Sequence, residues 1–293
     1  MTKMRTATST YGSVDMNSAF PYPTSYFQTE AGRMAYTDIG HGPPIVCLHG
    51  NPTWAFMYRH LLRDLSNTHR CIAPDYLGFG RSDKPTGASY RPPAQAARIE
   101  AFLQHLELEP LTMVVHDWGG PIGLSYALRH PERIARLVIT NSWLWPHDKD
   151  PWVGSFSRFV GGPIGRVLIR RFNVFAELGL RLGTTRPLSK DVLRAYTSPL
   201  DTPERRMPSW EFPRALLAET DWLRSLWTNR SRLRDIDAII VWGRRDPAFG
   251  STRYLERWTR LLPHARVHET DASHYVAEDL GPRLSDMVLH EER

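Results

Sequence analysis

Leu111-Thr112-Met113-Val114-Val115-His116-Asp117-Trp118-Gly119-Gly120-Pro121 decides how this chain folds. The apolar run 111–115 reads as a buried strand. The glycines and Pro121 read as a sharp turn into a helix with proline at its first position. A strand, a tight turn and a helix with a polar residue at the apex make a nucleophile elbow. Asp117 occupies the apex, where such a turn commonly presents serine. The exchange changes the chemistry that can follow. A carboxylate that displaces a leaving group from saturated carbon makes an ester, which water can cleave; a serine would leave an inert ether.

Around the elbow, short apolar runs alternate with amphipathic stretches, which predicts a mostly parallel sheet with helices on both faces. Residues 22–29 and 32–38 read as an initial strand pair, and 45–48, 71–73, 137–140, 238–242 and 267–270 as further strands. Between 146 and 235 the rhythm breaks into helical stripes, prolines and aromatics. An insertion of about 90 residues is long enough to be functional. The expected architecture is therefore an α/β core of residues 21–145 and 236–293, with a helical cap of 146–235 over the C-terminal ends of the strands. Residues 1–20 are rich in Ser and Thr and read as a disordered extension.

At 293 residues and 41% hydrophobic content, one elaborated domain is expected. Cys47 and Cys71 lie in strand-like runs and read as reduced thiols. With no apolar leader and no run long enough for a membrane span, the expected compartment is the cytoplasm, without a membrane partner. A net charge of +6 and a pI near 9.5 invite a nucleic-acid reading. Against it, the arginines are scattered among carboxylates, and the densest group, Arg166, Arg170 and Arg171, has the spacing of one solvated helical face. No zinc-finger, P-loop or dinucleotide pattern is present. Oligomeric state is left open.

The elbow calls for an acid and a histidine later in the chain, in that order. Asp246 in Gly243-Arg244-Arg245-Asp246-Pro247 follows one strand, and His274 in Ala272-Ser273-His274-Tyr275 follows the last. A second acid position, after the strand 137–140, holds Asn141-Ser142-Trp143, which leaves Asp246 as the acid and Asp271 as the weaker alternative. His49-Gly50-Asn51-Pro52-Thr53-Trp54 is the other constellation. Its turn is where this fold places one oxyanion amide, the N–H of Asn51, and Trp118 supplies the other. The side chains of Asn51 and Trp118 should converge beside Asp117 as two neutral donors, which suit an anion that departs without a proton, such as a halide.

These stretches, with Asp75-Tyr76-Leu77-Gly78-Phe79-Gly80-Arg81-Ser82, resemble the haloalkane dehalogenases of the α/β-hydrolase superfamily. The combination is similar to the subfamily that pairs an Asp-His-Asp triad with Asn and Trp halide donors. The resemblance implies Asp117 as nucleophile, His274 as base, Asp246 as its partner, and Asn51 and Trp118 as halide-binding residues. It also implies no metal and no organic cofactor, and as partners only a small apolar halogenated substrate and the halide ion. Val115 departs from the general elbow pattern, which often has glycine there. Two rivals share the fold. Epoxide hydrolases also attack with aspartate but protonate the departing alkoxide from two cap tyrosines, and this cap region has only Tyr196. A non-enzymatic ligand receptor would not require the five polar residues to be intact together. The cap aromatics Trp143, Trp145, Trp152, Phe156, Phe159, Phe172, Phe175, Trp210 and Phe212 are expected to supply an apolar pocket, most of them as cap core.

Overall fold

The computed structural model describes residues 19–108 and 110–289. Most of the extension expected over residues 1–20 lies outside them. Phe20, at its end, is buried against Trp54, with ring centroids 5.2 Å apart, and its carbonyl accepts from Arg81.

Eight strands form one sheet, ordered β1-β2-β4-β3-β5-β6-β7-β8. They are β1 (Ser25–Gln28), β2 (Arg33–Ile39), β3 (Pro44–Leu48), β4 (Arg70–Pro74), β5 (Leu111–Asp117), β6 (Ile134–Ser142), β7 (Asp237–Gly243) and β8 (Arg266–Thr270). β2 pairs antiparallel with both β1 and β4, and β3 to β8 all run parallel to one another. The chain fills the sheet outward from β3, first to β4 and then back across to β5. That reversal opens a crevice at the C-terminal ends of β3 and β5, where open α/β sheets bind ligands.

Alternate side chains of the central strands feed two cores. Val46, Leu48, Met113, Val115, Ile139 and Trp242 pack on one face, and Ile45, Cys47, Val114, Val138 and Val241 on the other. The first face is covered by helices 92–105 and 119–129, with 252–261 beyond them; the second by helices 59–65, 276–280 and 282–289. In chain order the helices are α1 (Arg59–Leu65), α2 (Pro92–His105), α3 (Gly119–Arg129), α4 (Pro151–Val160), α5 (Pro163–Phe172), α6 (Val174–Leu182), α7 (Lys190–Thr197), α8 (Met207–Ala218), α9 (Thr220–Thr228), α10 (Thr252–Leu261), α11 (Val276–Leu280) and α12 (Pro282–Leu289). Helices α4 to α9 are the inserted cap. Asp150 fixes its entry: the carboxylate caps α4 by accepting from the N–H groups of Trp152 and Val153, at 3.1 and 3.3 Å, and also takes the hydroxyl of Tyr254 on α10.

The elbow is tighter than the sequence suggested. Helix α3 begins at Gly119, so only Trp118 separates strand from helix, and Pro121 is the third helical residue rather than the first. Its missing N–H is still one of the four that a helix start leaves unpaired. A Cβ on Gly119 would overlap the Leu48 carbonyl, one on Gly120 the Ser142 hydroxyl, and one on Gly123 the side chains of Leu48 and Met113. Gly123 also lies against Val115, and so makes the room that a glycine at 115 would otherwise supply. Among the described residues no helix is long and apolar enough to cross a membrane.

Gly119→Ala should therefore lower stability by about 3 kcal/mol, because the clash is with backbone that cannot rotate away. A urea midpoint equal to that of the wild type would contradict this close approach of α3 to β3.

Candidate active site

Asp117 ends β5 with φ at +49°, in the left-handed region, and this turns its side chain out of the sheet toward the crevice. Its Oδ1 accepts from the N–H of Asn51 at 2.9 Å, and the N–H of Trp118 also bonds to the carboxylate. Gly50 is required beside it, since a Cβ there would collide with the carboxylate. Ser142 Oγ donates to the Asp117 carbonyl at 2.6 Å and fixes the strained residue from the β6 side. Burial pushes the Asp117 carboxyl above its ordinary pKa, against the opposing pull of His274 and of the two N–H groups.

His274 and Asp246 occupy the loops after β8 and β7. His274 Nδ1 lies 2.9 Å from Asp246 Oδ2, and its Nε2 lies 3.7 Å from Asp117 Oδ2, too far for a direct hydrogen bond. Burial works against a charged His274, but the charge and hydrogen bond of Asp246, with Asp117, outweigh it and hold the imidazole above the usual value. Burial likewise opposes the Asp246 carboxylate. His274, the amide of Asn141 and the N–H of Ala248 together bring it below the ordinary range. Asp271, the alternative acid, lies at the surface beside Arg245 and is not near His274's ring nitrogens.

Asn51 and Trp118 both border a cavity of about 240 Å³ that reaches Asp117 and His274. The Asn51 amide donates to the Ser209 carbonyl of α8 at 3.2 Å, which leaves its second N–H for the cavity. The Trp118 indole has no hydrogen-bond partner among the described residues. It is clamped edge-on by Trp143 and Phe212, at 5.0 and 5.7 Å between centroids. The five residues singled out in the sequence thus meet around one cavity.

Of the nine cap-region aromatics, Trp143, Trp152, Phe156 and Phe175 line this cavity. Phe212 backs Trp118, Trp145 packs on Trp258, and Phe159 and Phe172 face solvent. The sequence reading missed Asn141, which donates to Asp246 Oδ2 at 2.8 Å and also bonds the Gly243 N–H and C=O across the β6–β7 junction. It missed two wall residues as well, Phe249 and Tyr275. The neighbourhood of Asp246 and His274 was the available signal for both. Tyr196, the only cap tyrosine, is buried outside the cavity and donates to Glu278 at 2.7 Å, so it is not placed to protonate an alkoxide there.

The chain is similar to known proteins over most of its length. Residues 43–279 match the model of the alpha/beta hydrolase fold family. Haloalkane dehalogenase 2 of Mycobacterium tuberculosis is 34% identical over 92% of this chain and 95% of its own. The cis-3-alkyl-4-alkyloxetan-2-one decarboxylase of Shewanella oneidensis is 33% identical over 94% of this chain and 90% of its own. The crystal structure of haloalkane dehalogenase DbeA from Bradyrhizobium elkani superposes with a TM-score of 0.81 at 26% identity, covering 91% of this chain and 97% of that one. The chain belongs to the alpha/beta hydrolase fold family and, within it, to the haloalkane dehalogenase family of hydrolases.

Proposed function

We propose that the protein converts small haloalkanes to alcohol and halide through an alkyl ester on Asp117. The observation that carries this reading is the division of labour between the two Asp117 oxygens. Oδ1 accepts from the N–H of Asn51, with the N–H of Trp118 also favouring the charged carboxylate, while Oδ2 faces His274 at the cavity. Oδ2 attacks the carbon from the side opposite the halogen, forming the C–O bond as the C–halogen bond breaks. Asn51 and Trp118 donate to the departing halide, which needs no proton. His274 then takes a proton from water as that water adds to the Asp117 carboxyl carbon. The negative charge developing on Oδ1 is already in the place that the N–H groups of Asn51 and Trp118 stabilise. Collapse breaks the bond from the carboxyl carbon to the alkyl oxygen, which takes the proton of the imidazolium that Asp246 steadies; the carboxyl proton passes to solvent, and alcohol and carboxylate result.

The two decarboxylase relatives favour a second reading. Attack by Asp117 on the oxygen-bearing ring carbon of an oxetan-2-one would expel a carboxylate, which like halide leaves without a proton. Loss of CO₂ with departure of Asp117 would then give an alkene. No water enters that sequence, so it does not call on His274 as a base.

Trp118→Phe and Asn51→Ala should each slow halide release by about one to two decades with the fold intact. A hydrogen bond to a charged group contributes roughly 1.5–3 kcal/mol. Unchanged single-turnover halide release in either variant would remove that residue from the donor pair.

The pH dependence has a defined sign. Ester cleavage needs neutral His274, whose pKa is raised, so the rate of that step should climb with pH through a value above that of an ordinary histidine. Asp246→Asn removes the main charge responsible. It should move the ascending limb to lower pH while reducing its plateau. A limb that stays in place in stopped-flow measurements would disprove the coupling.

His274→Ala should separate the two readings. With 1-bromobutane it should release about one bromide per site and stop, with the butyl group on Asp117 by mass spectrometry of the digested protein. Continued turnover, or an adduct elsewhere, would refute the assignment. Sustained alkene and CO₂ from a cis-3,4-dialkyloxetan-2-one in the same variant would support the decarboxylase reading instead.

A further inference from the structure

Ten large apolar side chains are exposed among the described residues, and seven of them lie between Trp152 and Leu182. They are Trp152 and Phe159 on α4, Ile164, Val167 and Phe172 on α5, and Leu178 and Leu182 on α6, each between 50 and 63% exposed. The spacings 152-159, 164-167-172 and 178-182 keep those of each helix on one side of it. The buried faces of the same helices carry one branched apolar residue each, Val153, Ile169 and Leu180, beside the small groups Gly154, Ser157, Gly165 and Ala176. More large apolar side chains of these helices thus face outward than inward, unlike a helix that spends its apolar stripe on the core. An exposed apolar face of this kind marks an interaction site.

The same stretch carries most of the chain's excess charge. Residues 151–189 contain six arginines and one carboxylate, Glu177, a net +5 against +6 for the whole sequence. Many arginines elsewhere are paired, as Arg59 is with Glu278, Arg70 with Asp38 and Arg129 with Glu100, and within this stretch Arg170 reaches Glu204 and Arg181 reaches Glu177. Arg158, Arg171 and Arg186 have no carboxylate partner among the described residues, and Arg166 stacks only on Trp210. The cavity reaches this face: its lining includes the exposed Trp152 and Leu182 together with the half-buried Phe156 and Phe175.

We infer that α4, α5 and α6 form an interfacial face that seats the protein on an anionic phospholipid surface, with the cavity opening toward the lipid. Unpaired cations interleaved with large apolar side chains match such a surface in charge and in polarity, and no spanning helix is required. A cavity that opens there would draw apolar substrate directly from the bilayer, where it concentrates. This revises the sequence expectation of no membrane partner. The inference concerns binding alone and does not depend on which reaction the site performs.

Sedimentation with unilamellar vesicles tests it in the full-length protein. Vesicles of phosphatidylglycerol and phosphatidylcholine should capture the protein at 0.1 M salt and release it at 0.5 M, and vesicles of phosphatidylcholine alone should bind far less. Arg158→Gln, Arg166→Gln and Arg171→Gln combined should weaken capture roughly a hundred-fold, at about five-fold per cation. Phe159→Ser, Ile164→Ser, Val167→Ser and Phe172→Ser combined should weaken it at least about ten-fold. None of these residues lines the cavity, so turnover of dissolved substrate should not change. Equal binding to both vesicle types, or none to either, would overturn the inference from the wild-type protein alone. A wild-type dimer that the serine variant makes monomeric, with no vesicle capture, would assign the face to a second copy of the chain instead. Full capture of the serine variant would reduce the face to charge adsorption and refute the apolar seating.

Discussion

The buried negative charge of Asp117 is the constraint to which the surrounding structure answers. Placing a carboxylate out of water costs several kcal/mol unless its neighbours replace the lost solvent. Here two backbone N–H groups, the start of α3 and the His274 ring take that role. Each reaches the carboxylate only because the backbone comes unusually close. Gly50 lets the loop after β3 approach the side chain, Gly119 lets α3 approach β3, and Gly120 leaves room for the Ser142 hydroxyl. The left-handed conformation at Asp117 completes the geometry. The same strain that turns the carboxylate toward the cavity therefore also delivers the donors that favour its charged form.

A second consequence is that the buried histidines of this region differ in their charge. Burial depresses His49 to about 3 and His147 to about 4, and holds His116 well below the ordinary value. His274, half-buried at the cavity, shifts upward instead, because Asp246 bonds its Nδ1. His116 precedes Asp117 in the chain, but its Nδ1 meets the Thr140 carbonyl at 3.2 Å, and the nearby His274 further disfavours its charge. Position relative to a carboxylate, and not closeness in sequence, selects the base.

Much of this was legible in the sequence because it is local. Apolar runs marked the strands, and the order elbow, acid, histidine marked Asp117, Asp246 and His274. Asn51 and Trp118 were legible because each is adjacent to a turn. Asn141 was not, since its role arises only when β6 lies beside β7 and brings it within reach of Asp246, 105 positions later. Phe249 and Tyr275 were hidden for the same reason. Periodicity revealed the helices of the cap but could not say which stripe faces inward, so Phe159 and Phe172 could not be told apart from Phe156 and Phe175. The start of α3 was displaced by two residues because proline fits any of the first helical positions.

The cap also bears on the reaction centre through polar bonds that sequence periodicity does not register. Trp54 Nε1 donates to the Ala195 carbonyl at 3.0 Å, and Tyr196 joins the buried pair of Arg59 and Glu278. These bonds fix α7 against the loop that follows β3. Asn51 belongs to that loop, and its amide is held by the Ser209 carbonyl of α8. Asn51 is thus set jointly by core and cap, whereas Trp118 is set by the elbow itself, with Phe212 of α8 pressed on its ring. A cap displaced from the core would leave Asp117 with its backbone donors but spread Asn51 away from Trp118. On the proposed mechanism the cap would then be part of the chemistry as well as the wall of the cavity, since it would decide where a departing anion finds both donors at once.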